Sequence, residues 1–335
     1  MKNNPLPWLV MTVCLIAAVI LCTAAGSVSV PPGQVLDALR EMAAGRASGN
    51  ASYSIITDIR FPRVLCTALT GAALALSGGA MQGLLRNPLA DGSTLGVTSG
   101  AALGAILAIT AGISFFEGLG VAVSAVICAF LSLLLILGLA YRIDYSLSTN
   151  TIILIGVIFT MFAGSITSLL ITFAGERIKT IMFWTMGSLA GSDYGDALIL
   201  LGSLILFGAG VLWHSEELNA FSAGEENARH IGIDVRRVKL VILVCVAGLV
   251  GVAVSIGGTI GFAGLVIPHM TRMVIGADHK RLLPACVFSG AVFLMLADLL
   301  ARVVMRPLEL PIGVITSFVG SIVFVYIFYN SSRLR

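Results

Sequence analysis

Apolar residues in this chain come in long, nearly unbroken runs, separated by short polar punctuation. A segment that is apolar all round has no face to offer water, so it belongs in a bilayer or a deep core. A hydrocarbon layer about 30 Å thick takes about 20 apolar residues per helix. On that measure the runs predict ten spans, near 8–30, 64–85, 94–112, 117–140, 149–174, 196–213, 237–256, 265–276, 281–304 and 311–329. The eighth is too short to cross alone and is expected to continue out of the glycine-rich stretch before it. Barrel strands are excluded, because runs this long do not alternate in and out. Ala24-Ala25-Gly26 looks like a signal-cleavage site, but the long first run and the nine after it predict a retained helix.

Composition sharpens the picture. The 335 residues are 58% hydrophobic and only 11% charged, against roughly a quarter charged in a soluble protein. So few charges cannot coat a globular surface. The expectation is an all-α polytopic membrane protein, a single transmembrane domain over 1–335, with hydrophilic stretches near 31–63, 175–195 and 214–236. Placing the N-terminus inside puts twelve Lys and Arg residues on the cytoplasmic side and eight outside, the bias expected of a multi-pass protein with both termini inside. The net charge of +3 and the lack of a basic tract give no reason to expect nucleic acid. Six cysteines fall in or beside apolar runs without a CxxC or Cys/His cluster, so they read as small packing residues and no metal site is expected.

Three segments break the apolar monotony. Arg60 and Arg63 flank Pro62 just before a helix rich in small residues, and that helix runs into Arg86-Asn87-Pro88-Leu89-Ala90-Asp91. Pro88 must break the helix, and Asn87 can cap the exposed backbone. Glycine-rich segments at Gly71–Gly83 and Gly248–Gly264 occupy comparable places in the two halves. They fit close helix packing or an inverted repeat. In the stretch 214–236, Ser222 and Glu225 have the spacing of a capping box, with Arg229 and His230 in a last turn and Gly232 placed to end it. A short amphipathic helix is predicted there, either lying on the membrane or plugging into a partner.

These residues resemble a known family, the permease subunits of type II ABC importers that take up iron–siderophore complexes, cobalamin or haem. The resemblance rests on Arg60-Phe61-Pro62-Arg63, the run from Gly71 to Gly78, Gln82 and Arg86 to Asp91, Leu95-Gly96, and Trp184 to Leu189. It continues through Gly224-Glu225 with Ala228, Arg229 and Gly232, Gly261 to His269, Ala297-Asp298 with Ala301-Arg302, and Glu309 to Gly313. Phe61, where Leu is usual, and Gly92 depart slightly from the pattern.

The resemblance implies the type II permease fold, a homodimer or a close heterodimer around a central pathway, two ABC ATPase subunits inside and a bilobed binding protein outside. It implies a prokaryotic cytoplasmic (inner) membrane. ATP and Mg would be held by the partner subunits, with no cofactor and no catalytic residue in this chain, which agrees with the lack of a GxxxxGK[ST] pattern. It assigns Arg60, Arg63, Arg302 and more weakly Arg306 to binding-protein docking. Gly224, Glu225, Ala228, Arg229 and Gly232 are assigned to ATPase coupling. Asn87, Leu89, Thr149 and Asn150 would form an inner gate, with Gly78 and Gln82 lining the pathway.

Blander roles stand beside these: Arg302 can pair with Asp298 four residues earlier, the 86–91 segment can be an ordinary turn, and His269 reads as structural. An ion-coupled transporter would carry ionisable groups in mid-span, and the only acid well inside a run is Asp298. A membrane enzyme finds no support in the four scattered histidines. An iron–siderophore complex is the expected cargo, ahead of cobalamin and haem.

Overall fold

The computed structural model describes residues 5–26, 30–44, 51–113, 119–145 and 147–333. Lys2, Arg46 and Arg335, which enter the charge asymmetry, lie outside the described residues. Among the described residues all regular structure is helical. In chain order the α-helices are α1 (Leu6–Ala24), α2 (Pro32–Ala43) and α3 (Ala51–Ser54), the last leading through a π-helical turn (Ile55–Arg60) into α4 (Phe61–Leu84). Then come α5 (Val97–Ala111), α6 (Leu119–Ile143), α7 (Thr149–Thr172), α8 (Ile178–Met186) and α9 (Tyr194–Trp213). The remainder are α10 (Ser215–Ser222), α11 (Glu225–His230), α12 (Val235–Gly257), α13 (Ala263–Ile275), α14 (His279–Val303) and α15 (Ile312–Arg333).

Seven helical segments are long and apolar enough to cross a bilayer: α1, the run Ser52–Leu84, α6, α7, α9, α12 and α14. Three shorter apolar helices, in α5, α13 and α15, bring the total to the ten expected from the runs. One expectation fails in detail. The eighth span does not grow out of the preceding glycines, because Gly258 (φ +68°) and Phe262 (φ +65°) turn the chain between α12 and α13. α13 therefore starts afresh at Ala263, and its 13 residues span about 20 Å, well short of the bilayer. The segment 85–96 is likewise non-helical: Gly92 packs on Val250 of α12 and the Asp91 Cβ approaches Gly264 of α13.

α4 is the most buried of the spans. It packs against α14, α13, α9 and α12, and small residues explain how so many neighbours fit. A Cβ on Gly71 would stand 2.2 Å from the Gly290 carbonyl oxygen of α14, and one on Gly78 would stand 1.7 Å from the Gly264 carbonyl oxygen of α13. The two glycine-rich segments noted in the sequence thus pack on each other. Lipid tails compete well for apolar side chains, so this close backbone approach is what selects the helix partners.

Gly78→Ala should therefore fail as a folded membrane protein, since overpacking costs about 1–3 kcal/mol even where a neighbour can yield and here the obstacle is backbone. Gly164→Ala on α7, where a Cβ meets nothing within 4 Å, should be neutral. Thermal unfolding in detergent, followed by loss of the monodisperse size-exclusion peak, checks the pair.

Candidate functional site

Two polar clusters sit at opposite ends of the bundle. At the first, α1 ends with unpaired carbonyls, as every helix must. Arg60 Nη1 donates to the carbonyls of Thr23 (3.1 Å) and Ala24 (2.8 Å). Arg302 donates from Nη2 to Cys22 (3.0 Å) and from Nη1 to Ala25 (3.1 Å). Four consecutive carbonyls are thus capped by two guanidiniums, cations where the helix dipole wants them. Arg302 also pairs with Asp298 one turn earlier, Nε standing 2.9 Å from Oδ2. Arg63 takes the other carboxylate oxygen, with Nε at 3.1 Å and Nη2 at 2.8 Å, and its Nη1 reaches Glu309 at 2.8 Å. The side chain of Asp298 is 1% exposed.

This arrangement gives Arg60, Arg63 and Arg302, the residues expected to dock a binding protein, partners inside the protein. All three are buried, and their guanidiniums are spent on the carbonyl ends of α1 and on Asp298 and Glu309. The pairing of Arg302 with Asp298 prevails, because a charge this deep must find a partner inside the protein. Arg306, in contrast, is exposed.

The second cluster surrounds the 214–236 stretch. The predicted capping box does not form: Ser222 closes α10, with its hydroxyl donating to the Leu218 carbonyl (3.2 Å), and Gly224 at φ +115° starts α11. Only glycine adopts that backbone angle readily. The residues of α11 then divide. Ala228 is fully buried in the core and Glu225 turns inward, which removes Ala228 from any partner surface. Glu226, Arg229, His230, Ile231 and Gly232 face out, Ile231 at 71% exposure. The inward Glu225 Oε1 accepts from Thr149 Oγ1 (3.1 Å) and lies 2.7 Å from the ammonium of Lys239, a fully buried residue of α12.

Of the four residues expected to form an inner gate, one bonds directly to this cluster. Thr149 joins it through Glu225, with Asn150 exposed beside it. On the other loop, Asn87 Oδ1 accepts from the Leu89 amide (2.9 Å), the capping turn read from Asn87-Pro88, and Leu89 is exposed. Arg86 approaches Gly224: a guanidinium nitrogen would lie 4.0 Å from a Cβ there. Gly78 and Gln82 do not share this exposure. Gly78 is sealed against Gly264, and Gln82 is buried with its amide donating to the Leu265 carbonyl (3.0 Å). They join α4 to α13 and line no open wall of the protomer, since the missing Cβ that suggested a smooth wall serves close packing instead.

Two groups were missed in the sequence. Lys239 sits in the apolar run of α12 and gave no sign of a partner. Asn219 of α10 accepts from the His279 amide (2.8 Å) and donates to Asp278 Oδ1 (2.7 Å), while Glu216 pairs with Lys280. Asn219 carries no charge and belongs to no motif, so only the fold could reveal it. His269 is half-buried in α13, one residue after Pro268.

Seven helices long and apolar enough to cross a bilayer, with three shorter apolar ones between and after them, mark a polytopic membrane protein. The model of the FecCD transport family matches residues 14–330, and the chain belongs to that family, as the membrane permease of an ABC importer. It is 39% identical over 95% of its length to the ABC transporter permease protein YvrB of Bacillus subtilis, covering 92% of that protein. It is 38% identical over 82% of its length to the cobalamin import permease BtuC of Halobacterium salinarum, covering 73% of it. A solved inward-facing metal-chelate type ABC transporter superposes with a TM-score of 0.86 at 31% identity, covering 98% of this chain and all of the other. The PsaBC structure of Streptococcus pneumoniae, at 16% identity and a TM-score of 0.53 over 88% of this chain and 95% of the other, shares the fold alone.

Two outcomes follow. Asp298→Ala strips the counter-charge from two buried arginines and should cost about 3–5 kcal/mol, read as a large drop in Tm of the detergent-solubilised protein. Asp278 is held below the usual carboxylate range, chiefly by the Asn219 amide and further by the Lys280 backbone N–H. The stability this contact supplies is complete above the ordinary Asp value of about 4 and is lost as pH falls through the lowered folded value. Hydrogen exchange in α10 should rise over that acidic window, and Asn219→Ala should abolish the pH dependence.

Proposed function

We propose that this chain carries a bulky metal chelate across the cytoplasmic membrane, driven by ATP hydrolysed in partner subunits. The observation that carries the reading is the whole-length similarity to the metal-chelate type transporter. Two copies of the chain would enclose the pathway. The burial of Gly78 and Gln82 inside the protomer supports a pathway at the protomer's edge, which a second copy would complete. The 214–236 end would face the cytosol and seat an ATPase subunit on Glu226, Arg229, His230, Ile231 and Gly232, the outward residues of that loop. Apolar Ile231 is the anchor such a contact needs at its centre. Asn87, Leu89, Thr149 and Asn150 would close the pathway beside it. Arg306, exposed at the opposite end, would meet an extracytoplasmic binding protein, and there an exposed charge sets encounter rate and orientation more than affinity.

Within the chelate class, the family resemblance makes an iron–siderophore complex the first reading. Cobalamin is the second reading, and a specific finding favours it: relatives named as cobalamin or vitamin B12 permeases reach 38% and 35% identity. No residue of the pathway discriminates the two. The test is the affinity of the cognate binding protein for a ferric siderophore, cobalamin and haem, measured side by side together with ATP-dependent uptake into proteoliposomes. Tight binding of one chelate names the cargo. Binding of only a small ion such as phosphate would overturn the class.

Ile231→Asp should break assembly with the ATPase, seen as loss of co-purification. Arg306→Glu should slow binding-protein association by about tenfold or less at low salt, an effect that fades as salt is added.

A further inference from the structure

The importer reading leaves one buried charge without a role. Lys239 is fully buried in the core of α12, and its ammonium makes two bonds, each to a different moving part. One is the ion pair with Glu225 of α11 at 2.7 Å. The other is donated to the carbonyl of Leu147 at 2.9 Å. Leu147 stands at φ +52°, a backbone angle that a branched side chain seldom adopts, in the turn that delivers Thr149 to the start of α7. That turn is fixed from its own side too: the Asp144 carboxylate accepts from the Ser148 amide (3.1 Å), and the Ser148 hydroxyl accepts from the Thr151 amide (3.4 Å). Thr149 itself closes the triangle by donating to Glu225.

We infer that Lys239 is a positioning residue that locks the α6–α7 turn to α11, so that displacement of α11 by its partner moves the mouth of α7 as one body. Three features carry this. An ammonium removed from water is costly and is retained only with its partners in place, so the two bonds hold together or break together. The bond to the α6–α7 turn goes to a backbone oxygen, which moves the chain itself and not merely a side chain. The opposite face of α11 is the exposed one, with Glu226, Arg229 and His230 outward, so a push from that side is delivered through Glu225. α10 has a separate attachment, through Asn219 to the first residues of α14, so the links from this loop to α7 run through Glu225, directly to Thr149 and by way of Lys239.

The inference rests on the importer reading, and the experiment separates the two. The complete transporter, with its ATPase and binding protein, is reconstituted carrying Lys239→Met together with Glu225→Leu. Apolar replacement of both partners leaves no unpaired buried charge, so the bundle can still fold. The ATP hydrolysed per cargo molecule delivered should rise about tenfold, the scale of a typical coupling between sites. Lys239→Arg, which keeps the charge, should restore much of the ratio. An unchanged ratio in the double variant would overturn the inference while leaving the importer reading intact. Failure of the wild-type complex to transport with any ATPase would instead sink the importer reading itself. If the double variant does not insert, Lys239→Arg and Glu225→Gln decide: a raised ratio in Glu225→Gln alone supports the lock, and equal ratios overturn it. A purely structural lysine would lower the yield of all variants without moving the ratio.

Discussion

Helices in a bilayer gain little by hiding apolar side chains from one another, because lipid is as good a neighbour. What remains is close packing, and here it is supplied by α4. Its small residues let α14 and α13 approach until backbone meets backbone, at Gly71 with Gly290 and at Gly78 with Gly264. Everything else hangs from that contact. α13 can be short because α4 holds its first turn, and the non-helical segment 85–96 can lie against α12 and α13 because these are already fixed.

Against that rigid centre, the polar groups divide into two kinds. Asp298, with Arg63 and Arg302, is sealed and fully committed, which suits a fixed joint and leaves no carboxylate free to follow a coupling ion. The cluster around Glu225 is different. It joins elements through single bonds, and several of its neighbours lie at the surface. A joint with surface neighbours can be moved as one body from outside, whereas the Asp298 cluster is sealed within the bundle.

Much of this was legible in the sequence. Ten apolar runs gave ten helices, Asn87-Pro88 gave its turn, and Asp298 gave its partner one turn away. The errors have common physical causes. Gly78 reads the same whether a missing side chain opens a channel or admits a neighbouring backbone, and only the three-dimensional arrangement decides. The Ser222–Glu225 spacing satisfies a capping rule, yet Ser222 closes α10 and α11 starts at Gly224, so Glu225 stands at the first helical position and its carboxylate reaches Lys239 instead. Arginines before a membrane helix look exposed in one dimension, while their length lets them fold back onto the end of α1. The Lys239 bridge was invisible because its far end, the Leu147 carbonyl, lies 92 residues away in the chain, and Asn219 because its partners lie 59 and 60 residues away.

The cap on α1 also bears on how such a protein can change over time. Arg60 and Arg302 grip α1 by its main-chain oxygens, a feature that nearly every amino acid presents alike. The grip therefore places almost no demand on which side chains α1 carries, beyond being apolar and ending at the right place. Away from Ala18 and Cys22, which pack on Val64 and Met295, the N-terminal helix is free to drift in sequence while staying docked, and a chimaera that keeps those two small residues would be held by the same two guanidiniums.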